Sequence, residues 1–173
     1  MSPEEFAERV EPHLGILHRL ARRLTRSRAD AEDLAQEGLL RAFERRNSLR
    51  DPKKIRSWLL ALLRNLHLNR VRDERPQLVM LSGGASFAHP TADLEEEIQS
   101  RALSDEVLLA LRALPEEQAT ALWLRAVEGL SYQEIAEVMG TPVGTVRSRL
   151  ARAREAMSAR LGKEVPAASG GRR

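Results

Sequence analysis

The sequence predicts an all-α chain: two small helical domains joined by a flexible linker, the second containing a helix-turn-helix. Three observations lead there. Apolar residues recur at three-and-four spacing along most of the chain, the period of a helix with one buried face. Hydrophobic residues make up 42% of 173, yet only two tryptophans, one tyrosine and three phenylalanines are among them, which leaves the core to leucine, alanine, valine and isoleucine. The stretch PQLVMLSGGASFAHPT, residues 76–91, holds Gly83-Gly84 and two prolines and carries no sustained period, as a linker does. The expected units are a first domain over 1–75, a linker over 76–94, a second domain over 95–161 and a disordered tail over 162–173, GKEVPAASGGRR.

The first helical pattern starts near Pro12 and runs through Leu14, Leu17, Leu20, Ala21 and Leu24. The second is expected from about Asp30 to Arg46, with Asp30 as its cap and Leu34, Leu39, Leu40 and Phe43 as buried positions. Glu32 and Asp33 suit the positive end of its dipole. The third opens at Asp51-Pro52, a capping residue before a proline at the first helical position. It continues through Ile55, Trp58, Leu59, Leu62, Leu63, Leu66 and Val71, with Trp58 read as core. Beyond the linker, residues 95–113 form an amphipathic pattern, Pro115 starts a further helix that Gly129 closes, and Ser131 starts the next.

Residues 131–150, SYQEIAEVMGTPVGTVRSRL, carry the strongest local signal. Ser131 and Glu134 have the spacing of a reciprocal capping box. Gly140 can adopt the left-handed conformation that ends a helix, and Thr141-Pro142 is expected to cap and open the next. With Val143, Val146 and Leu150 inward, Thr145, Arg147, Ser148, Ala151 and Arg152 turn partly or wholly outward. A helix presented in this way can lie in a DNA major groove, where arginine reads guanine with two hydrogen bonds. Arg149 and Arg154 suit phosphates.

Charge supports a nucleic-acid partner. Net charge is only +3, but its distribution is uneven. Residues 41–75 hold eleven Lys or Arg against four acids, residues 93–128 nine acids against three arginines, and residues 142–161 five arginines against one glutamate. The absence of cysteine excludes disulfides, thiolate nucleophiles and cysteine-ligated zinc. His13, His18, His67 and His89 have no metal-ligand spacing, and no phosphate loop or nucleophile elbow appears, so neither an enzyme nor a cofactor is expected. The acidic start lacks a secretory signal, and no apolar run approaches the ~18 residues of a membrane span, so a cytoplasmic protein without membrane insertion is expected.

Two segments resemble the extracytoplasmic-function group of the bacterial sigma-70 family. HRLARRLTRSRADAEDLAQEGLLRAFERR, residues 18–46, resembles its region two, and ALPEEQATALWLRAVEGLSYQEIAEVMGTPVGTVRSRLARAREAM, residues 113–157, its region four. The resemblance implies a transcription initiation factor that brings core RNA polymerase to promoters and promotes strand opening. It implies polymerase docking through Asp30, Asp33, Gln36 and Glu37, supported by Leu34 and Leu40. It implies capture of the melted minus-ten element by Asn47, Ser48, Arg50, Lys53, Lys54 and Arg56, with Arg64, Asn69, Arg70 and Arg72 following the duplex upstream. Thr145, Arg147, Ser148, Arg149, Ala151, Arg152 and Arg154 would read the minus-35 element. An anti-sigma factor is the further partner that the resemblance implies. Two rivals remain: a helix-turn-helix regulator that binds duplex DNA without polymerase, and a protein-interaction module whose arginines only solvate it.

Overall fold

In the computed structural model, residues 1–81 and 105–162 are described, and all regular structure among them is helical. The first half comprises α1 (Pro3–Val10), α2 (Leu14–Leu24), α3 (Arg28–Glu44) and α4 (Ile55–Leu81). The second comprises α5 (Asp105–Arg112), α6 (Glu116–Ala126), α7 (Tyr132–Met139) and α8 (Val143–Leu161). Most of the expected linker, the pattern proposed over 95–104 and nearly all of the tail lie outside the described residues.

Helix α1 has no counterpart among the sequence expectations. Ser2 caps it by accepting the Glu5 N–H at 3.1 Å, Pro3 occupies the first turn, and Phe6 and Val10 are buried. Eight residues give too short a period to stand out.

Helix α2 follows the pattern closely, burying Ile16, Leu17, Leu20, Ala21 and Leu24. Helix α3 departs from it in two respects. Its cap is Ser27 rather than Asp30: the Ser27 hydroxyl accepts the Asp30 N–H at 3.0 Å and donates to the Asp30 carboxylate at 2.7 Å. Its inward face is made of Ala31, Leu34, Ala35, Gly38 and Ala42, whereas Leu40 is 58% exposed and Phe43 37%. Small residues face inward because the backbone of α3 comes close to α4: a Cβ on Gly38 would sit 2.6 Å from Leu63 Cδ1. Periodicity alone selects the large side chains and misplaces that face.

Asp51 caps a short 3-10 turn over Pro52–Lys54, accepting the Lys53 N–H at 2.9 Å, and α4 follows directly. Ile55, Leu59, Leu60, Leu63 and Leu66 are buried. Trp58 and Leu62 are partly covered and pack against that core, whereas Val71, at the end of the apolar pattern, is exposed. Helix α4 extends to Leu81, through Pro76 and into the stretch whose composition reads as linker.

In the second half the local rules hold at most points. The capping box forms, with the Ser131 hydroxyl accepting the Glu134 N–H at 3.2 Å and the Glu134 carboxylate accepting the Ser131 N–H at 2.8 Å. Gly129 and Gly140 adopt positive φ, 68° and 60°, a region costly for residues with a Cβ. Thr141 departs from expectation: Pro142 takes the N-cap position of α8, no side chain caps that helix, and the buried Thr141 hydroxyl has no hydrogen-bond partner.

The two halves pack against each other. Helix α4 packs on α7 as extensively as α2 does on α3, and one apolar cluster runs from Phe6 and Leu20 through Leu60 and Leu63 to Leu124, Ile135 and Leu150. A smaller cluster holds α5 to α8 through Ala110, Leu114, Ala153 and Met157.

Candidate nucleic-acid interface

Helix α8 is anchored by its inward residues. Val146, Leu150 and Ala153 are fully buried, and they turn Arg147, Ser148, Ala151 and Arg152 outward into solvent. Among the described residues no carboxylate pairs with Arg147 or Arg152. Thr145 is half-buried, and its carbonyl accepts the Ser148 hydroxyl at 2.9 Å.

The two arginines assigned to phosphates by chemistry behave differently. Arg154 lies 3.5 Å from the Tyr132 hydroxyl, whereas Arg149 pairs with Glu117 at 3.0 Å. The same Arg149 nitrogen lacks a hydrogen bond of good geometry, so the contact is an ion pair rather than a directed bond.

Sequence reasoning missed Tyr132 and Arg125. The Arg125 guanidinium sits 5.2 Å from the centre of the Tyr132 ring. The Arg154 hydrogen bond, together with the charges of Arg154, Arg125 and Arg147, holds the Tyr132 hydroxyl below its ordinary pKa. This makes Tyr132 a hydroxyl set in a positive field beside the outward face of α8. The signal in the sequence was an aromatic immediately after the capping serine, flanked by arginines one helix away.

On the first half, Asn47, Ser48, Arg50, Lys53 and Lys54 are all exposed. Asn47 Oδ1 accepts from the Met1 amine at 3.1 Å. Beside them lies a groove of about 240 Å³ between the end of α3 and the middle of α4. Trp58, Leu62 and Leu66 give it apolar surface, Ser48, Asn65 and Asn69 give it hydrogen-bonding groups, and Arg41 and Arg45 give it positive charge. Of its lining, the sequence points only to Ser48 and Asn69 for DNA. Trp58 reads as core from sequence, and Asn65, one turn before Asn69, is the signal that extends the set.

Three cations of the first half are engaged by the second half. Lys54 donates to the Glu137 carboxylate at 2.6 Å, and Ser57 donates to the other oxygen at 2.6 Å. These contacts hold the Glu137 carboxyl below the usual carboxylate range and push the Lys54 ammonium up. Arg56 donates to the Glu128 carbonyl at 2.7 Å. Arg64 is buried, 6% exposed, and pairs with Glu117. In this arrangement Arg64 faces the second half instead of solvent.

The acidic face of α3 is open. Asp30, Asp33, Gln36 and Leu40 are exposed, while Leu34 is fully buried and acts only to hold the helix. Glu37 is clamped by Arg70 of α4 and by Arg41 of its own helix, and the Arg70 hydrogen bond is the main cause of its lowered pKa. Thus Glu37 and Arg70, selected for different partners, meet each other. No group of His, Cys, Asp or Glu able to hold a metal occurs among the described residues.

Comparison with known proteins matches the two halves to two regions of one family. Residues 9–77 match the model of sigma-70 region 2, and residues 104–157 match that of sigma-70 region 4. The chain is 34% identical to the extracytoplasmic-function sigma factor SigM of Mycobacterium tuberculosis, over 91% of this chain and 77% of SigM. It is 29% identical to SigW of Bacillus subtilis, over 91% of this chain and 89% of SigW. In structure it resembles the sigma factor RpoE from Bartonella quintana, solved in complex with the anti-sigma factor NepR. That match has a TM-score of 0.74 at 28% identity and covers 94% of this chain and 99% of RpoE. It also resembles CnrH, solved in complex with the cytosolic domain of CnrY, with a TM-score of 0.66 at 25% identity over 93% and 90%. Two matched regions in the same order, and relatives matched over most of their length, place the chain in the sigma-70 family as an extracytoplasmic-function RNA polymerase sigma factor.

Proposed function

We propose that this sigma factor reads a promoter at two points while docked on core RNA polymerase. The outward face of α8 takes the upstream duplex element, with Arg147 and Arg152 at base edges, Ser148, Thr145 and Ala151 as adaptable contacts, and Arg149, Arg154 and Tyr132 on phosphates. The groove between α3 and α4 takes one base extruded from the melted minus-ten strand. Trp58 offers a ring to stack on, and Ser48, Asn65 and Asn69 offer hydrogen bonds to base edges. Arg50, Lys53, Lys54 and Arg56 follow its backbone, and Arg64 and Arg70 the duplex upstream. Asp30, Asp33, Gln36, Glu37 and Leu40 form the surface for polymerase.

One observation carries this reading: a small mixed apolar and amide groove flanked by cations stands on the same chain as a duplex-reading helix. A duplex-only regulator has no use for such a groove. Opening draws on the binding energy of the extruded base, so the chain acts by binding rather than by catalysis. The complex of RpoE with the anti-sigma factor NepR supports an anti-sigma partner for this chain as well. Work on DNA and core polymerase places the protein in the cytoplasm. Among the described residues no helix is long and apolar enough to cross a membrane.

The test is run-off transcription with core polymerase on promoters of the source genome. Specific transcripts should need the protein and fail with Asp33→Ala or Arg147→Ala. A protein that footprints duplex DNA alone and adds nothing to core polymerase would instead be a regulator.

A further inference from the structure

Basophilic protein kinases select a hydroxyl by charge: an acidic cleft takes arginines two and three residues before a serine or threonine that lies extended across the catalytic groups. Two runs of the chain consist of two arginines, one spacer and a hydroxyl, namely Arg22-Arg23-Leu24-Thr25 and Arg45-Arg46-Asn47-Ser48. The fold separates them. Arg23 is buried with its guanidinium 3.7 Å from Glu116, and the buried Thr25 hydroxyl donates to the Ala21 carbonyl at 2.8 Å. Neither can reach a kinase without unpacking α2. Arg45 and Ser48 are both exposed.

Ser48 also carries an uncommitted hydroxyl. Ser2, Ser27 and Ser131 cap helices, Ser57 donates to Glu137, and Ser148 donates to the Thr145 carbonyl. Among the described residues no hydrogen bond takes up the Ser48 side chain. Its backbone lies in the connection between α3 and α4, where the Ser48 N–H closes a 3-10 turn on the Arg45 carbonyl at 2.8 Å. Leu49 and Asp51, just beyond, already have extended backbone, with ψ of 105° and 109°. A kinase therefore has a single short turn to open and no helix to unwind. The Arg46 guanidinium lies 4.3 Å from the centre of the Phe43 ring and donates to the Phe43 carbonyl at 2.9 Å. Arg45, three residues before the acceptor, is thus the arginine that leads into an acidic cleft.

We propose that Ser48 is a phosphorylation site, at which a basophilic serine/threonine kinase closes the groove between α3 and α4 to the melted strand. In the transfer, Ser48 Oγ attacks the γ-phosphorus of a nucleoside triphosphate. The new O–P bond forms as the bond from that phosphorus to the β–γ bridging oxygen breaks. The nucleoside diphosphate leaves with the electron pair, and the hydroxyl proton passes to the aspartate base of the kinase. The product brings a charge of about −1.5 to −2 at pH 7 into a lining that Ser48 shares with Arg41, Arg45, Asn65 and Asn69. There it pairs with the arginines that a nucleic-acid phosphate would use, repels the incoming strand and sets a tetrahedral group where a flat base would enter. Closure in this sense rests on the promoter reading above, whereas the assignment of the acceptor does not. Helix α8 and the acidic face of α3 carry none of the modified lining, so the phosphorylated chain keeps its hold on upstream duplex and on polymerase.

The test incubates the full-length chain with ATP, Mg²⁺ and the catalytic subunit of cyclic-AMP-dependent protein kinase, and maps phosphate by tandem mass spectrometry. The parent should take phosphate at Ser48 and none at Thr25. Arg45→Ala, with its fold checked by circular dichroism, should slow the initial rate at least about tenfold. No phosphate at Ser48, or an Arg45→Ala rate equal to that of the parent, overturns the site. The modified chain then enters run-off transcription on a promoter where the unmodified chain is active. It should lose at least about tenfold in transcript, keep upstream duplex protection, and recover after treatment with a serine phosphatase. Ser48→Ala should give the same transcript before and after kinase treatment, whatever its starting level. Transcript from the parent that is unchanged by full modification at Ser48 overturns the closure. Phosphate mapping uses neither DNA nor polymerase. An unmodified chain that fails in run-off therefore removes the promoter reading, whereas an active chain indifferent to phosphate on Ser48 removes this proposal alone.

Discussion

The two DNA-facing surfaces of this chain are built in opposite ways. On α8, Arg147 and Arg152 stand free on a helix fixed from below by Val146 and Leu150, so that surface is ready as folded. On α4, Arg64 is buried against Glu117, and Lys54 of the turn before it is held by Glu137. The difference teaches that a basic segment is not yet a basic surface. Residues 41–75 carry more positive charge than the recognition helix, yet several of their cations are already matched. Availability is decided by tertiary partners rather than by composition.

The largest effect expected is on the anchors of the ready surface. Leu150→Ala should cost about 2–5 kcal/mol in urea unfolding, because it empties a fully buried site. If the helix were held mainly by its ends, the loss would be far smaller. Arg147→Ala should leave unfolding unchanged and weaken binding to the upstream duplex element by about 1–3 kcal/mol, with discrimination lost at one base pair. A loss that is uniform across sequences would move Arg147 to the phosphates. On the other half, Gly38→Val should destabilise by about 1–3 kcal/mol through the clash with Leu63. An unchanged melting curve would show that α3 can draw back from α4.

The smaller effects compare the two helix starts. Ser131→Ala and Ser27→Ala should each cost about 1 kcal/mol in thermal unfolding, the reciprocal box at Ser131 making its loss the greater. The smallest effect is on pH dependence. Glu37 and Glu137 both have depressed pKa values, so their stabilising contributions are complete above the unfolded carboxylate range and are lost as pH falls through the folded values. Replacing either with glutamine should flatten the fall in stability below about pH 5 and leave its slope near neutrality unchanged.

The sequence made the second half more legible than the first. The signals of the helix-turn-helix are contiguous: a serine and glutamate three apart, a glycine at positive φ and a proline at the next start all act on their own neighbours. Its one misreading, Thr141, is a hydroxyl that is buried and makes no cap. The first half depends on approach between helices. Gly38 and three alanines mark the inner face of α3, and that face was hidden because larger residues, Leu40 and Phe43, repeat at the same period outside it. The groove was only partly visible, since Trp58, Asn65 and Asn69 line up along one side of α4 but Arg41 and Arg45 come from another helix. The contacts between halves had no local signal at all: Lys54 and Glu137 lie 83 positions apart.

Permanganate reactivity of the melted minus-ten strand, read together with protection of the upstream duplex, tests the division of labour most directly. Both are measured on one promoter with core polymerase and the parent protein, Trp58→Ala or Arg147→Ala. The account predicts that Trp58→Ala keeps upstream protection and loses reactive thymines, whereas Arg147→Ala loses upstream protection first. Loss of upstream protection with Trp58→Ala while its thymines stay reactive would contradict it.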